Sequence, residues 1–424
     1  MTLYLGAFVL FLLIGMPVAL SLGMASLTYL VVNDQLHLLL AFPQRIIAGI
    51  DNFVLLTIPF FILAGNLMNA AQLTRQIVRF AQIIVGRIRG GLAVVNVMAS
   101  MLFSGISGAA TAEASAIGSI MIPAMRRDGY SAAYAAALTA MGSLLGPLVP
   151  PSLALILYGV LTGTSIADLF LAGIVPAICL CAMLVGYAIW KARREDHPVP
   201  PALAPTERRA AVIGAVPALL LPVIIVGGIR SGVFTPTEAA AVACFYALAV
   251  GGLIYRSLGP STIGRALYET ATMSAGVMLV VGMASMTAFV LGIENIPARI
   301  AGGLIGLTDS PVLLLLLLNL VLLMLGLFLE PLAALILAMP ILALIRPELG
   351  MDPVQFGVMV VLNLMIGMVT PPVGLVLFIV GAIGREPIER VTMAALPMVL
   401  IALVVLGLVA MVPALSLALP GLFR

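Results

Sequence analysis

Charge is what this sequence has least of. Only 9% of its 424 residues are Asp, Glu, Lys or Arg, while 63% are hydrophobic. A soluble domain does not need so much apolar surface. Stretches of about 20 apolar residues recur along the whole chain, enough to cross a hydrocarbon layer about 30 Å thick. The composition therefore predicts an all-α polytopic membrane protein in a lipid bilayer. The net charge of +3 is too small to argue for a nucleic-acid partner, and no basic run or aromatic-interleaved patch is present. Cys179, Cys181 and Cys244 lie in apolar spans at spacings that fit neither a disulfide framework nor a zinc site, and read as packing residues. His37 and His197 are scattered and make no metal centre. There is no Walker motif and no Gly-x-Gly-x-x-Gly on a strand, so any work done by this chain does not draw on ATP bound to it. No nucleophile with a base and no metal-ligand cluster stands at membrane depth, which argues against an intramembrane enzyme.

The N-terminal "MTLYLGAFVLFLLIGMPVAL" lacks a basic n-region and stays apolar to about Val32, so it reads as a first membrane helix and not as a cleaved signal. Further spans cover about 54–70, 131–160, 168–190, 210–229, 237–255, 267–292, 352–383 and 391–418. Two segments do not fit this series: 90–125 and 310–345 each hold 36 residues between charged borders. One straight helix of that length would run about 54 Å, and two full crossings with a turn need more residues. Each segment is read as a re-entrant hairpin of two half-length helices. With the Arg-rich border of the first hairpin in the cytoplasm, parity leaves Arg45, Arg230, Arg299, Arg346 and Arg424 outside. The other fifteen Lys and Arg residues, Arg87 among them, fall inside, the asymmetry expected of an inner-membrane protein. The N-terminus is then cytoplasmic and the C-terminus periplasmic.

Hairpins that open from opposite sides suggest an inverted repeat. At an offset of 221, Gly129 meets Gly350, Gly146 meets Gly367, Pro150 and Pro151 meet Pro371 and Pro372, Gly163 meets Gly384, and Pro176 meets Pro397. Within the hairpins an offset of 217 pairs Glu113 with Glu330 and Pro123 with Pro340, and a four-residue insertion before Gly350 reconciles the two. The first repeat is 1–190, with a cytoplasmic-side hairpin at 90–125 and a broken helix at 131–160. A polar linker, 191–209, leads to the second repeat, 210–424, with a periplasmic-side hairpin at 310–345 and a broken helix at 352–383.

The proline pairs explain the broken helices. Proline inside a helix removes a donor and clashes with the preceding turn, at about 3 kcal/mol. One pair by itself is equally well a packing kink. Two pairs in symmetric mid-span positions, each preceded by glycine, free backbone groups that lipid cannot satisfy. Freed carbonyls suit a small hard cation such as Na⁺, and the resumed half-helix offers its N-terminus to an anion. The hairpin tips, "FSGISGAATAEAS" and "LGLFLEPLAAL", bring similar chemistry, with Gly326 near the second turn and Pro331 opening a helix. Glu113 and Glu330 are the acids deepest in apolar sequence. Each reads as a proton carrier, a cation ligand, or a carboxylate satisfied by helix N-terminal amides. "TPTEAAA" has the spacing of a capping box from Thr235 to Glu238. The amphipathic stretches near 37–50, 73–88, 257–266 and 294–308 read as surface arms between a fixed scaffold and a mobile core.

The stretches "TIPFFILAGNLM", "GRIRGGLAVVNVMASMLFSGISGAATAEASAIGSIMIPAM", "GPLVPPSLALILYG", "TPTEAAAV" and "FGVMVVLNLMIGMVTPPVGLVLF", in this order, span nearly the whole chain. On them the chain resembles the large membrane subunit of tripartite ATP-independent periplasmic (TRAP) transporters. The resemblance implies an elevator-type secondary transporter, not an enzyme, that imports small carboxylates such as C4-dicarboxylates or sialic acid. It implies a periplasmic substrate-binding protein, a small four-helix membrane subunit expected here as a separate chain, and a Na⁺ gradient. By motif position one Na⁺ site would use Ser107, Ala109, Gly146, Val149 and Pro151, and the other Gly326, Gly367, Thr370 and Val373. Substrate would lie between the hairpin tips, with Ser104, Ser107, Thr111 and Thr370 as polar contacts. No arginine stands deep enough to clamp a carboxylate. A stand-alone or proton-coupled organic-anion carrier is the alternative.

Overall fold

The structure is a computed structural model that describes residues 2–85, 88–195, 197, 199 and 205–423. Arg87, Arg424 and most of the linker between 196 and 204 lie outside the described residues, and so do the orientation assignments made for them. Every regular element among the described residues is helical, and eight of the helices are long and apolar enough to cross a membrane.

The first span is the first departure from expectation. It is two helices, α1 (Thr2–Leu13) and α2 (Val18–Val32), separated where Gly15 takes a φ of +84° and Pro17 withdraws an amide. The two helices fold back on each other. Tyr4 Oη donates to Thr287 Oγ1 at 3.3 Å and Ser26 Oγ lies 3.2 Å from the same atom, whereas 22 residues of one straight helix would separate them by about 33 Å. The N-terminus therefore lies at the same end as Val32 and not across a membrane from it.

Next come α3 (Phe42–Ile50), α4 (Thr57–Ala70) and α5 (Leu73–Val85). The segment 90–125 forms α6 (Gly91–Ser107) and α7 (Ala110–Arg127). It is followed by α8 (Ala132–Gly142), which tightens into a 3₁₀ turn, an unwound stretch, α9 (Leu153–Thr162) and the long α10 (Ile166–Arg194). The second half runs α11 (Pro205–Arg230), α12 (Pro236–Ala249), α13 (Pro260–Ile293) and α14 (Ile296–Ile305). It continues with α15 (Pro311–Phe328), α16 (Pro331–Glu348), α17 (Pro353–Gly367), α18 (Leu375–Gly384), α19 (Ile388–Met411) and α20 (Ala414–Leu422).

Three other sequence expectations change. The arm expected at 257–266 is largely the first turns of α13, a 34-residue helix, because Pro260 opens the helix at a position that needs no donor. The span expected at 391–418 divides at Pro413 into α19 and α20. The hairpin legs are not half-length: α6 has 17 residues and α7, α15 and α16 have 18 each. A turn of only two residues makes this possible. Gly108 is left-handed and Ala109 extended in one, and Leu329 and Glu330 are both extended in the other.

The element boundaries also correct the repeat register. Ala110 and Pro331 open α7 and α16, and Ala132 and Pro353 open α8 and α17, each pair 221 residues apart. The hairpins thus keep the same offset as the proline pairs, and no insertion is needed. At that offset Glu330 falls with Ala109, whereas the two glutamates pair only at 217.

The helices pack in two groups. In the first, α4 lies against α12 and α13, and α13 also covers α2 and α3. In the second, α7 packs with α18, α8 with α18 and α19, α17 with α15, α16 and α19, and α10 with α6 and α20. The groups meet where α4 touches α6 and α13 touches α16. The capping box of α12 is complete: Thr235 Oγ1 accepts from Glu238 N, and Thr235 N donates to Glu238 Oε2 at 2.8 Å. Thr235→Ala is expected to lower stability by about 1 kcal/mol, read as a small fall in thermal midpoint with uptake retained.

Candidate ion and substrate site

The two proline-marked spans are unwound at mid-length, each in its own way. In the first, the backbone leaves helix after Leu145 and resumes at Leu153. Ser152 closes the gap: its hydroxyl donates to Pro147 O and accepts from Leu155 N. In the second, Gly374 takes a φ of +59°, Val376 N donates across the gap to Met368 O at 3.2 Å, and Thr370 Oγ1 donates to Ile366 O at 2.6 Å. Ser152 is the N-cap of α9, a residue that motif reading passed over, although a Ser directly after the proline pair is a recognisable helix start.

Each hairpin tip seats against one unwound stretch by backbone contact. Leu153 N lies 3.4 Å from Gly108 O, and a Cβ on Gly108 would stand 2.4 Å from Pro151 O. Gly146 faces Ala109 and Glu113, with a Cβ there falling 2.7 Å from Glu113 Oε2. Ala109, Gly146 and Pro151 are therefore gathered at one place, with Ser107 at the tip and Val149 in the same loop. On the other side a Cβ on Gly367 would meet Gly326 at 2.5–2.9 Å, backbone against backbone. Gly326 and Gly367 touch, with Thr370 and Val373 following in the unwound segment.

The carboxylates of the two tips stand differently. Glu330 is the N-cap of α16, its Oε2 accepting from Leu332 N at 3.1 Å, the arrangement in which helix N-terminal amides satisfy an acid. Glu113 lies in the first turn of α7 and is fully buried. Ser104 Oγ lies 2.7 Å from Ser100 O and 2.9 Å from Glu113 Oε2, and Glu113 Oε1 and Ser107 Oγ are buried without a hydrogen-bond partner. Ser104 has one proton to serve two acceptors. Either Glu113 receives it, or Glu113 carries a proton of its own.

A cavity of about 30 Å³ sits where both tips and both unwound spans converge, lined by Ala109, Thr111, Pro147, Glu330, Leu332 and Met368 among others. Of the expected substrate contacts Thr111 lines it. Ser107 instead lines a neighbouring cavity of about 40 Å³ together with Gly65, Asn66 and Asn69 of α4. Ser104 is fully buried and engaged within the hairpin, and Thr370 is turned toward Ile366. Gly65 is a further residue the sequence reading did not single out. It lets α4 approach the first tip, with a Cβ there 3.2 Å from Ile106 O.

No group of three or more His, Cys, Asp or Glu among the described residues could hold a metal. The donors at the tips are carbonyls, hydroxyls and two carboxylates, a hard-oxygen set suited to an alkali cation and not to a transition metal.

The family model described as "Tripartite ATP-independent periplasmic transporter, DctM component" matches residues 5–415. The chain belongs to the DctM family. Among DctM-family relatives, the sialic acid TRAP transporter large permease protein SiaM of Vibrio cholerae is 43% identical over 409 residues, covering 96% of each chain. The C4-dicarboxylate TRAP transporter large permease protein DctM of Pseudomonas aeruginosa is 42% identical over 371 residues, covering 88% of this chain and 87% of that one. The isethionate TRAP transporter permease protein DctMQ of Oleidesulfovibrio alaskensis is 38% identical, covering 98% of this chain and 66% of that one. In fold this DctM-family chain is similar to the solved Alcanivorax borkumensis YdaH transporter (TM-score 0.67, 15% identity, 89% of this chain and 88% of that one). It is also similar to Neisseria gonorrhoeae MtrF (TM-score 0.59, 13% identity, 90% and 85%). The chain is thus a multi-pass permease component of a bacterial TRAP transporter, and not an enzyme.

Proposed function

We propose that the chain is the permease subunit of a Na⁺-coupled, binding-protein-dependent importer of small organic acids, working as an elevator in the inner membrane. The observation that carries this reading is the convergence of two hairpin tips and two unwound helices on one small cavity. Tips from re-entrant hairpins of an inverted repeat give such a cavity two gates, one toward each side. The second packing group, with both hairpins, is the moving domain; the first, built on α4, α12 and α13, is the scaffold. The arms α3, α5 and α14 connect them.

Na⁺ at the first tip would be held by Ser107, Ala109, Gly146, Val149 and Pro151, and at the second by Gly326, Gly367, Thr370 and Val373. Two unpartnered buried oxygens, Glu113 Oε1 and Ser107 Oγ, support the first placement, and the free lone pair of Thr370 supports the second. The substrate is a small carboxylate. Relatives at 35–43% identity carry names for sialic acid, C4-dicarboxylates and 2,3-diketo-L-gulonate, each with at least one carboxylate, and one at 38% for isethionate, a sulfonate. A separate small membrane subunit and a periplasmic binding protein complete the transporter, and the DctMQ relative has a further third of its length to accommodate a fused partner. With the Arg-rich ends of α7 and α10 cytoplasmic, the fold-back of α1 on α2 puts the N-terminus on the periplasmic side, the reverse of the parity count.

Uptake of labelled organic acid into proteoliposomes holding this chain and its small subunit tests the reading. It is expected to require both an inward Na⁺ gradient and a loaded binding protein. Thr370→Ala is expected to raise the Na⁺ concentration for half-maximal uptake at least fivefold, and Thr370→Ser to leave it near the parent value. Uptake that follows a proton gradient, or that proceeds without the binding protein, establishes the stand-alone or proton-coupled alternative instead.

A further inference from the structure

A cavity unrelated to the hairpin tips opens at the C-terminal end of α10. It is an open cleft of about 500 Å³, lined by Tyr187, Trp190, Lys191 and Arg194 of α10, by Glu195 just after it and by Pro397 of α19, within the roughly 300–1,000 Å³ range of small-molecule pockets. Tyr187, Trp190 and Arg194 share one helix face, three and four residues apart. Trp190 is the only tryptophan of the chain and remains half exposed. Arg194 stacks on its indole, 5.6 Å from the ring centre, and no carboxylate among the described residues stands in ion-pair reach of it. Lys191 contacts the Tyr134 ring at 5.0 Å and pairs with Glu195. Lys191 and Arg194 against Glu195 leave one positive charge in excess. His197, 3.3 Å from Glu195, adds none at neutral pH: burial beside Tyr130 lowers its affinity for a proton, partly opposed by Glu195.

We propose that this cleft binds one anionic phospholipid, with the phosphate on Arg194 and Lys191 and the glycerol backbone against Trp190 and Tyr187. The choice of a lipid over a soluble phosphate rests on what lies below the pocket. Pro397 stands nine residues into α19, and the exposed side chains Met393, Leu396, Leu400, Val404 and Leu408 continue from it along one face of that helix. A free phosphate or nucleotide has no use for such an apolar track, whereas acyl chains fill it. An aromatic ring with a cation at the end of a membrane helix is also the usual furniture of the headgroup level. The site belongs to α10 and α19, so a lipid held there would accompany the second packing group. The inference needs only the membrane placement of the chain and stands apart from the transport reading.

The test is native mass spectrometry of the delipidated full-length protein titrated with phosphatidylglycerol or phosphatidylcholine, with inorganic phosphate as competitor. One phosphatidylglycerol is expected to be retained at least tenfold more tightly than phosphatidylcholine, and millimolar phosphate is expected not to displace it. Arg194→Gln and Trp190→Ala are each expected to weaken retention at least fivefold, while Arg208→Gln, an exposed arginine on α11, leaves it unchanged. Arg194→Gln is an exposed change and carries the test alone where Trp190→Ala does not fold. Equal retention of the two lipids, or unaltered retention in Arg194→Gln, overturns the site. Displacement by phosphate overturns the lipid and marks a pocket for a soluble anion.

Discussion

Gly367→Ala is expected to reduce Na⁺-driven uptake about 100-fold while leaving the protein inserted in the membrane. The added Cβ would stand 2.5 Å from the carbonyl carbon of Gly326, 2.6 Å from its Cα and 2.9 Å from its oxygen. All three atoms are backbone, and Gly326 has no side chain that can swing aside. Relief must come from moving α15 away from α17, and overpacking of this kind costs about 1–3 kcal/mol or more. The functional loss exceeds the loss of stability because the displaced element is the hairpin tip itself. On the proposed reading the tip holds carbonyl and hydroxyl oxygens in register with the unwound segment, and in enzymes a misplacement of about 1 Å in a positioned group costs about two orders of magnitude. Gly407→Ala in α19 is the control, since a Cβ there meets nothing within 4 Å and alanine favours the helix. Uptake and thermal midpoint, measured together on both variants, separate the outcomes. Parent-like uptake in Gly367→Ala would show that the close approach of α15 and α17 has no part in transport.

Much of this arrangement is visible in the sequence because its causes are local. Pro150–Pro151 and Pro371–Pro372 mark the unwound spans directly, since a proline pair cannot continue a helix. Pro331 marks the restart of α16, and the Thr235–Glu238 spacing marks a cap that the structure forms. What the sequence does not show are the features set by packing. The fold-back of α1 on α2 turns on Gly15 and Pro17, which a hydropathy reading passes over because both flanks are equally apolar. The pairing of Glu113 with Glu330 at 217 matches letters, whereas the helices after the two turns start 221 residues apart, at Ala110 and Pro331. Gly65 is indistinguishable in sequence from the other glycines of this Gly-rich chain, and only its contact across helices with Ile106 singles it out. Ser104 shows the same limit, because its place in a polar tip sequence does not reveal that its hydroxyl points into the hairpin.

Glu113→Gln is expected to raise the Na⁺ concentration for half-maximal uptake at least tenfold while preserving maximal uptake at saturating Na⁺. The argument starts from burial. The Glu113 side chain is fully enclosed, one oxygen lies 2.9 Å from Ser104 Oγ, and the other has no partner. An ionised carboxylate in that position is strongly unfavourable unless a cation stands beside it. The unwound loop holding Gly146 approaches it from one side, and the carbonyls of that loop are freed by the helix break. A Na⁺ between them would discharge the carboxylate and take up the unpartnered oxygen at once. Glutamine keeps the shape and can still accept from Ser104, but it removes the negative charge, so the fold survives and the ion is held less tightly. Glu113→Leu serves as the harsher variant: it removes both carboxylate oxygens, leaves Ser104 only Ser100 O as acceptor, and is expected to lose Na⁺-dependent thermal stabilisation altogether. The proton-carrier reading makes a different forecast for the same proteins. There Glu113→Gln would abolish the dependence of uptake on a pH gradient and leave the Na⁺ requirement unchanged. Half-saturation by Na⁺ measured at several external pH values, in the parent and in Glu113→Gln, assigns the carboxylate: coupled binding makes the Na⁺ affinity depend on pH, and a dependence that Glu113 carries disappears in Glu113→Gln.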